Sequence, residues 1–450
     1  MLPIRTDAPT PVAGTGTARG FTTRQVHAGD AACGPGGVRP RATPVYLTAG
    51  FRFDDFEQAG VHFGTGEGYA YTRHGNPTTD AAERKVADLE GGAEALLVAS
   101  GQAAVTVTVL ALVAAGQRVL SATSVYEGTR GLFLENLPRL GIETDFVGDA
   151  NDPEEWARRI TPDTRVLFCE SVPNPRNDLV DLAAVARVAH AHGLPLVVDN
   201  TLATPYLLRP IEHGADVVVH SASKFLAGQG AVLGGVVVDA GTFDAERSGA
   251  LFPHLVERTR LGGPGYAERF GGSARIAYAR EVVAPRLGPT PSPFTAFLVA
   301  QGVETLSLRV ARQSAVALEV AEWLAGRPEV LSVDYSGLPS SPSHDLARRY
   351  LPDGQGSVFS FTLRDGERAA RHVVESVRLF THMTHLGDVR SLVLHPASTS
   401  HVLRSPEEQA AAGIWPGTLR VSIGIEDPLD LVADLEHALA TVPAAPGRLS

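Results

Sequence analysis

Between residues 93 and 240, short apolar runs alternate with longer stretches whose apolar positions recur at helical spacing. The runs Ala95–Ala99, Arg118–Ser121, Glu143–Val147, Arg165–Glu170, Leu194–Asp199, Asp216–His220 and Val236–Asp239 predict strands. Helical patterns fall at Gln102–Ala115, Leu132–Leu140, Leu182–His192 and Tyr206–His213. Strands separated by helices build βαβ units, so the pattern predicts an α/β fold with a mostly parallel seven-stranded sheet. Gly141, Gly193 and Gly214 stand where helices should end, as glycines suited to a left-handed C-terminal residue do. A Gly-, Pro- and Arg-rich stretch, 241–293, interrupts the alternation. From Phe294 onward the pattern changes to an amphipathic helix, Leu306–Leu324, and strand-like runs at Ser357–Leu363, Ser391–Leu394 and Leu419–Ile423. The expected organisation is an unstructured lead (1–20), an N-terminal arm (21–77), a large α/β domain (78–240), a connecting insertion (241–293) and a smaller α+β C-terminal domain (294–450).

The length, 450 residues, exceeds what one ordinary core accommodates. Acidic residues outnumber basic ones, 50 against 39, and the net charge of −11 argues against nucleic acid or an anionic membrane as a partner. No apolar run is long enough to span a bilayer, and the first twenty residues lack the apolar segment of a secretory signal. The two cysteines, Cys33 and Cys169, are too few for a disulfide framework and fit a reducing cytoplasm. Cys169 lies in a strand-like run and reads as a buried, inert thiol. Lysine is more informative. Only Lys85 and Lys224 occur among the 39 basic residues, and an arginine cannot replace lysine where a nucleophilic amine is needed. Lys85 sits among Glu83, Arg84 and Asp88 on what reads as a solvated helix, which singles out Lys224.

In an open parallel sheet, ligands bind beyond the carboxyl ends of the strands. Ser100-Gly101-Gln102 follows the first run and opens a helix, a turn that offers N–H groups to an anion. Glu170 and then Asn174 follow the fourth run, Asp199-Asn200 the fifth, and Ser221-Ala222-Ser223-Lys224 the sixth. An anion cradle, a carboxylate, two hydroxyls and an amine therefore converge on one sheet edge. Pyridoxal 5′-phosphate (PLP) requires this set: a lysine for its aldehyde, a carboxylate for its ring nitrogen and donors for its phosphate. Taken singly, each residue also has an ordinary structural explanation, such as a helix cap for Asp199 or a surface position for Lys224.

Tyr71-Thr72-Arg73, Asn76-Pro77-Thr78, Leu89-Glu90-Gly91-Gly92, Ser100-Gly101-Gln102-Ala103, Asp199-Asn200-Thr201 and the run Asp216–Lys224 resemble the PLP enzymes of cysteine and methionine metabolism, the trans-sulfuration family. The resemblance extends from about Thr23 to Ala440. Ala203–Tyr206, Pro210–Asp216, Ser292–Phe294 and His395–Thr399 place it nearest the O-acetylhomoserine sulfhydrylase branch. It implies a fold-type-I, aspartate-aminotransferase-like architecture and a homotetramer of two active dimers. It implies that Lys224 holds PLP as a Schiff base and moves protons at Cα and Cβ, that Asp199 holds the pyridinium, and that Gly101, Gln102, Ser221 and Ser223 bind the phosphate. Tyr71 and Arg73 from a neighbouring subunit would complete that phosphate site. Tyr126 would stack on the ring and help protonate the leaving group, and Asn174, Ser398 and Arg420 would orient the cofactor oxygen and the carboxylate of a small amino-acid substrate.

The implied reaction is γ-replacement on a γ-substituted amino acid, with sulfide or a thiol as nucleophile. The alternative is γ-elimination by a methionine γ-lyase-like or specialised-pathway enzyme, which the same residues would serve. A dinucleotide-dependent oxidoreductase would need a Gly-x-Gly-x-x-Gly turn, and the turn after Ala99 has one glycine. Several positions depart from the family pattern: Glu127 where glycine is usual, Gln229 where histidine is, Ala231-Val232 for a Thr-Ser pair, Leu47, Ala49 and Gly50 for Gln, Thr and Ser, and His385 where asparagine is common. They fit either an unusual γ substituent or nucleophile, or drift within the branch. His382, His385, His395 and His401 have no carboxylate or cysteine at matching spacing, so no metal site is expected.

Overall fold

The computed structural model describes residues 19–29, 40–65, 68–260 and 262–442. Cys33 and residues 1–18, most of the expected lead, lie outside the described residues. Seven strands form the larger sheet: β1 (Glu94–Val98), β2 (Arg118–Ala122), β3 (Glu143–Val147), β4 (Thr164–Glu170), β5 (Leu196–Asp199), β6 (Val217–Ser221) and β7 (Gly235–Asp239). Their order is β1-β7-β6-β5-β4-β2-β3. The sheet is mixed rather than purely parallel, because β7 runs antiparallel to both neighbours. Strands such as Val217-Val218-Val219 are apolar on both faces because helices cover both sides of the sheet. Gly141, Gly193 and Gly214 all adopt positive φ at the ends of their helical segments.

The direction of β7 matters for the site. Since it opposes both β1 and β6, those two point the same way, and Gly235 pairs with Val98 on one side and Ser221 on the other. The turn after β1 therefore opens at the same edge as the loop after β6. Parallel pairing puts Glu170 opposite Asp199 and Asp199 opposite Val219, which brings the ends of β4, β5 and β6 to that edge as well.

A second sheet is built from β8 (Val330–Asp334), β9 (Val358–Leu363), β10 (Thr381–His382), β11 (Leu392–Leu394) and β12 (Thr418–Ser422), ordered β10-β11-β12-β9-β8. It has its own apolar core, which includes Phe359, Phe361, Val421 and Leu435. The helix Leu306–Ala325 joins the two regions: Leu306 and Val310 pack in the first core, and Val316, Val320 and Leu324 in the second.

Three expectations need correction. Lys85 is not solvated: it is 3% exposed, and its Nζ donates to the Gln25 carbonyl and to Glu304 at 3.1 Å. The helix Pro77–Glu90 is buried on most of its surface, which leaves Lys85 no route to water. The helix expected at Tyr206–His213 is two separate turns, Thr204–Leu207 and Pro210–His213, because Pro210 lacks the N–H that would continue the first. The pattern Leu132–Leu140 is the tail of a helical segment that begins at Glu127.

Candidate active site

The carboxyl edge of the larger sheet gathers the residues that follow its strands, Ser100–Gln102, Glu170, Asp199 and Ser221–Lys224. Ser100 caps the helix Gly101–Leu112 by accepting the Ala103 N–H. Gly101 lies against Ser221 so closely that a Cβ there would come within 2.7 Å of the serine Cβ. That contact requires glycine and puts the free N–H groups of the helix start beside the Ser221 hydroxyl. Gln102 is the next residue of the same turn, and its side-chain amide lies 2.5 Å from where a Cβ on Gly128 would sit. Ser223 is buried, and its hydroxyl both accepts the Gly234 N–H and donates to the Gly234 carbonyl. Ser221 is therefore the serine turned toward the helix start, whereas Ser223 secures the loop.

Asp199 ends β5, where its three predecessors are buried and it is itself partly exposed at the strand end. Thr201 holds it with two donors, its backbone N–H at 2.9 Å and its hydroxyl, and that hydroxyl also accepts the Ser221 N–H. Burial raises the Asp199 carboxyl, while the Thr201 donors and nearby His220 oppose the rise. Its neighbour Glu170 is pushed well above the usual carboxylate range by burial and by the Asp199 charge. Both carboxyls are raised; the push on Glu170, with burial and the Asp199 charge acting together, drives it toward its protonated form. Behind them, His220 lies 3.4 Å from Glu90, both essentially without solvent contact.

Lys224 follows β6. Burial, reinforced by Arg420, pulls its amine down to about 8. Nζ lies 3.2 Å from His385 Nδ1. Arg420 sits in the middle of the second sheet, on β12, and reaches the site from there. Burial pulls its guanidinium down to about 10, still charged at neutral pH, with Tyr126 opposing the fall. Its Nη2 donates to the Thr384 and His385 carbonyls, and its Nε is buried without a partner. Asn174 Oδ1 is likewise buried and unpaired. The Ser398 hydroxyl is 2.7 Å from His395 Nδ1. Tyr126, half-exposed, precedes the helix Glu127–Gly131, and its N–H donates to Glu170.

Tyr71 and Arg73 stand apart. Arg73 donates to the Pro285 carbonyl at 2.5 Å and lies 5.5 Å from the centre of the Tyr71 ring. Among the described residues, none of their hydrogen bonds or ring contacts reaches Lys224, Asp199 or Ser221.

Two groups at the site escaped the sequence reading. Glu127, noted only as a departure, pairs with Arg404 at 2.5 Å, with His401 at 3.7 Å. His385, noted as a departure and weighed as a metal ligand, is the partner of Lys224. Among the described residues no group of three or more His, Cys, Asp or Glu side chains is placed to hold a metal ion. Cys169 is buried, and burial pushes its thiol up.

The donor set fits PLP on structural grounds. A desolvated amine, a partly buried carboxylate and a glycine-backed helix start share a single edge, and unpaired buried polar atoms on Arg420 and Asn174 await partners from outside the chain.

The comparisons agree. The model of the Cys/Met metabolism PLP-dependent enzymes matches residues 22–440. Homocysteine synthase of Schizosaccharomyces pombe is 41% identical over 429 residues, covering 93% of this chain and 98% of that protein. O-acetyl-L-homoserine sulfhydrylase of Leptospira meyeri is 41% identical over 413 residues, 89% and 93% of the two chains. A crystal structure of a Campylobacter jejuni protein described as an O-acetylhomoserine (thiol)-lyase, which carries a pyridoxyl-lysine phosphate, superposes with a TM-score of 0.89 at 32% identity, covering 94% of this chain and all of that one. With the match running almost end to end and the lysine, carboxylate and phosphate-turn residues at one sheet edge, the chain belongs to the family of Cys/Met metabolism PLP-dependent enzymes.

Proposed function

We propose that this enzyme performs γ-replacement on an O-acylated homoserine such as O-acetylhomoserine, with sulfide or a small thiol as the incoming nucleophile. The observation that carries the reading is the convergence of Lys224, Asp199 and Arg420 at one edge, in a chain whose relatives are named for this activity. When bound, PLP supplies an electron sink for negative charge developing at the substrate Cα. Asp199 holds the proton on the ring nitrogen. Gly101, Gln102 and Ser221 hold the phosphate, joined by Tyr71 and Arg73 of a second copy, while Ser223, expected among these ligands, braces the loop through Gly234. Arg420 clamps the substrate carboxylate through two parallel N–H donors, with Asn174 and Ser398 fixing its orientation. Lys224, once free, would take the proton from Cα, hand it on to the carbon beside the cofactor ring and, as a neutral amine again, take one from Cβ. Tyr126 covers the ring and delivers a proton to the departing oxygen.

We also propose that the enzyme assembles as a tetramer of two active dimers, since among the described residues no hydrogen bond or ring contact of Tyr71 or Arg73 reaches Lys224, Asp199 or Ser221, and that it works in the cytoplasm. The division into arm (21–77), large domain (78–240), connecting segment (241–293) and small domain (294–450) belongs to the same proposal.

The test incubates PLP-loaded protein with O-acetylhomoserine, with and without sulfide, and identifies products by mass spectrometry. Homocysteine formed only with sulfide is the expected result. A 2-oxo acid and ammonia in both samples would replace this reading with γ-elimination.

A further inference from the structure

Among the described residues, Lys224 has one side-chain hydrogen-bond partner, Nδ1 of His385. The loop that carries His385 is pinned on several sides. Gly387, at φ +70°, presses on Phe225 so closely that a Cβ would come within 2.8 Å of the Phe225 ring and backbone nitrogen. Its N–H donates to the Ser422 hydroxyl at 2.9 Å, and the Val389 N–H donates to the Gly228 carbonyl at 3.0 Å. Gln313 holds the Asp388 carbonyl at 2.8 Å, and Arg420 holds the carbonyls of Thr384 and His385. The imidazole is therefore fixed relative to both the lysine and the arginine proposed to clamp the substrate.

The charges around the ring set its state. Lys224 faces it from the turn after β6, Arg420 from β12, and Asp388 and Arg390 from its own loop. Burial, then Lys224, with help from Arg420 and Arg390 and opposition from Asp388, pulls His385 down to about 4. At neutral pH the ring carries no charge. The lysine ammonium beside it can only donate, so Nδ1 accepts and the hydrogen resides on Nε2, which is buried without a partner.

We infer that His385 is a positioning residue for Lys224: a neutral acceptor that fixes the ε-amine whenever the lysine is not joined to the cofactor. The inference rests on the reading of Lys224 as the PLP lysine. A free ε-amine on a four-carbon stem has many rotamers, yet the proposed reaction asks it to reach two adjacent carbons in turn. A neutral acceptor removes that freedom without adding a second cation beside Arg420.

The test uses the full-length chain, stripped of PLP and shown to recover its visible band on reloading. It is labelled with an amine-reactive anhydride across a pH series, and the peptide containing Lys224 is quantified by mass spectrometry. The reporter is clean because the only other lysine, Lys85, is buried in an ion pair. In His385→Leu the ammonium loses its acceptor while remaining desolvated, so the labelling midpoint falls by on the order of one unit. His385→Asn retains an acceptor and holds the wild-type midpoint. In the holoenzyme, His385→Leu lowers kcat more than it changes KM and moves the acid limb of the kcat profile to lower pH, and His385→Asn restores both. A midpoint that stays put or rises in His385→Leu overturns the proposal. If that variant does not reload PLP, His385→Ala is measured in its place under the same criteria. Failure of the PLP-lysine reading would appear separately, as a visible band that survives Lys224→Ala.

Discussion

At the residue scale, the site works by assigning charge. Glu170 and Asp199 end neighbouring strands, in register, Glu170 buried and Asp199 partly so. Charge on one of two neighbouring carboxyls disfavours charge on the other, most for the buried one. The donors on Thr201 favour the charge on Asp199, and Glu170, driven toward its protonated form by burial and the Asp199 charge, accepts the Tyr126 N–H. A protonated glutamic acid has a close neutral analogue in glutamine, which gives a sharp expectation. Between the unfolded carboxyl value near 4.3 and its raised folded value, native Glu170 binds a proton that the unfolded chain has released. The native state then binds more protons, so stability falls as pH rises through that window. Glu170→Gln removes this component. Thermal melting from pH 5 to 8 should show a shallower decline with pH for the variant than for wild type, with no loss of stability at pH 8. A steeper decline, or a large loss at pH 8, would mean that Glu170 is ionised in the fold.

At the element scale, much of the structure was legible because a sheet covered on both faces writes itself as continuous β-branched runs. Val217-Val218-Val219 and Leu196-Val197-Val198 could hardly be anything else. β8 and β10 did not stand out for the opposite reason. β8 is an edge strand with exposed Leu331 and Ser332, and β10 is two exposed residues, so neither carries a burial pattern. The site was legible where it follows strand ends, since topology alone brings Ser100, Asp199 and Lys224 to one edge. Contacts made across the fold were not. His385 is 161 residues from Lys224, and Arg404 is 277 from Glu127; in the sequence His385 and Glu127 stood out as departures from the family pattern without these partners, and Arg404 did not stand out. Lys85 was misread because three charged neighbours suggested water, when the helix is in fact packed on several sides.

At the scale of the whole molecule, the site is assembled from two cores. Lys224, Asp199 and Ser221 belong to the larger sheet, while Arg420 and His385 come from the smaller one and the loop beside it. The helix Leu306–Ala325, buried in both cores, holds the two in register. The buried Asn177 adds a second tie, donating to the Val358 carbonyl and accepting the Ser336 N–H. Tyr71, 48% exposed, and Arg73, also exposed, make no hydrogen bond or ring contact with Lys224, Asp199 or Ser221 among the described residues, which is why a second copy is invoked. Light scattering after size exclusion should give about four times the 47.4 kDa of one chain, and a fully active monomer would refute that part of the account. The central claim is that Lys224 holds the cofactor, and the scarcity of lysine makes it directly measurable. Reducing the PLP-loaded enzyme with borohydride, digesting it and mapping the pyridoxyl-phosphate mass addition should place the label on the peptide containing Lys224. A label on Lys85, or on no lysine, would contradict the account.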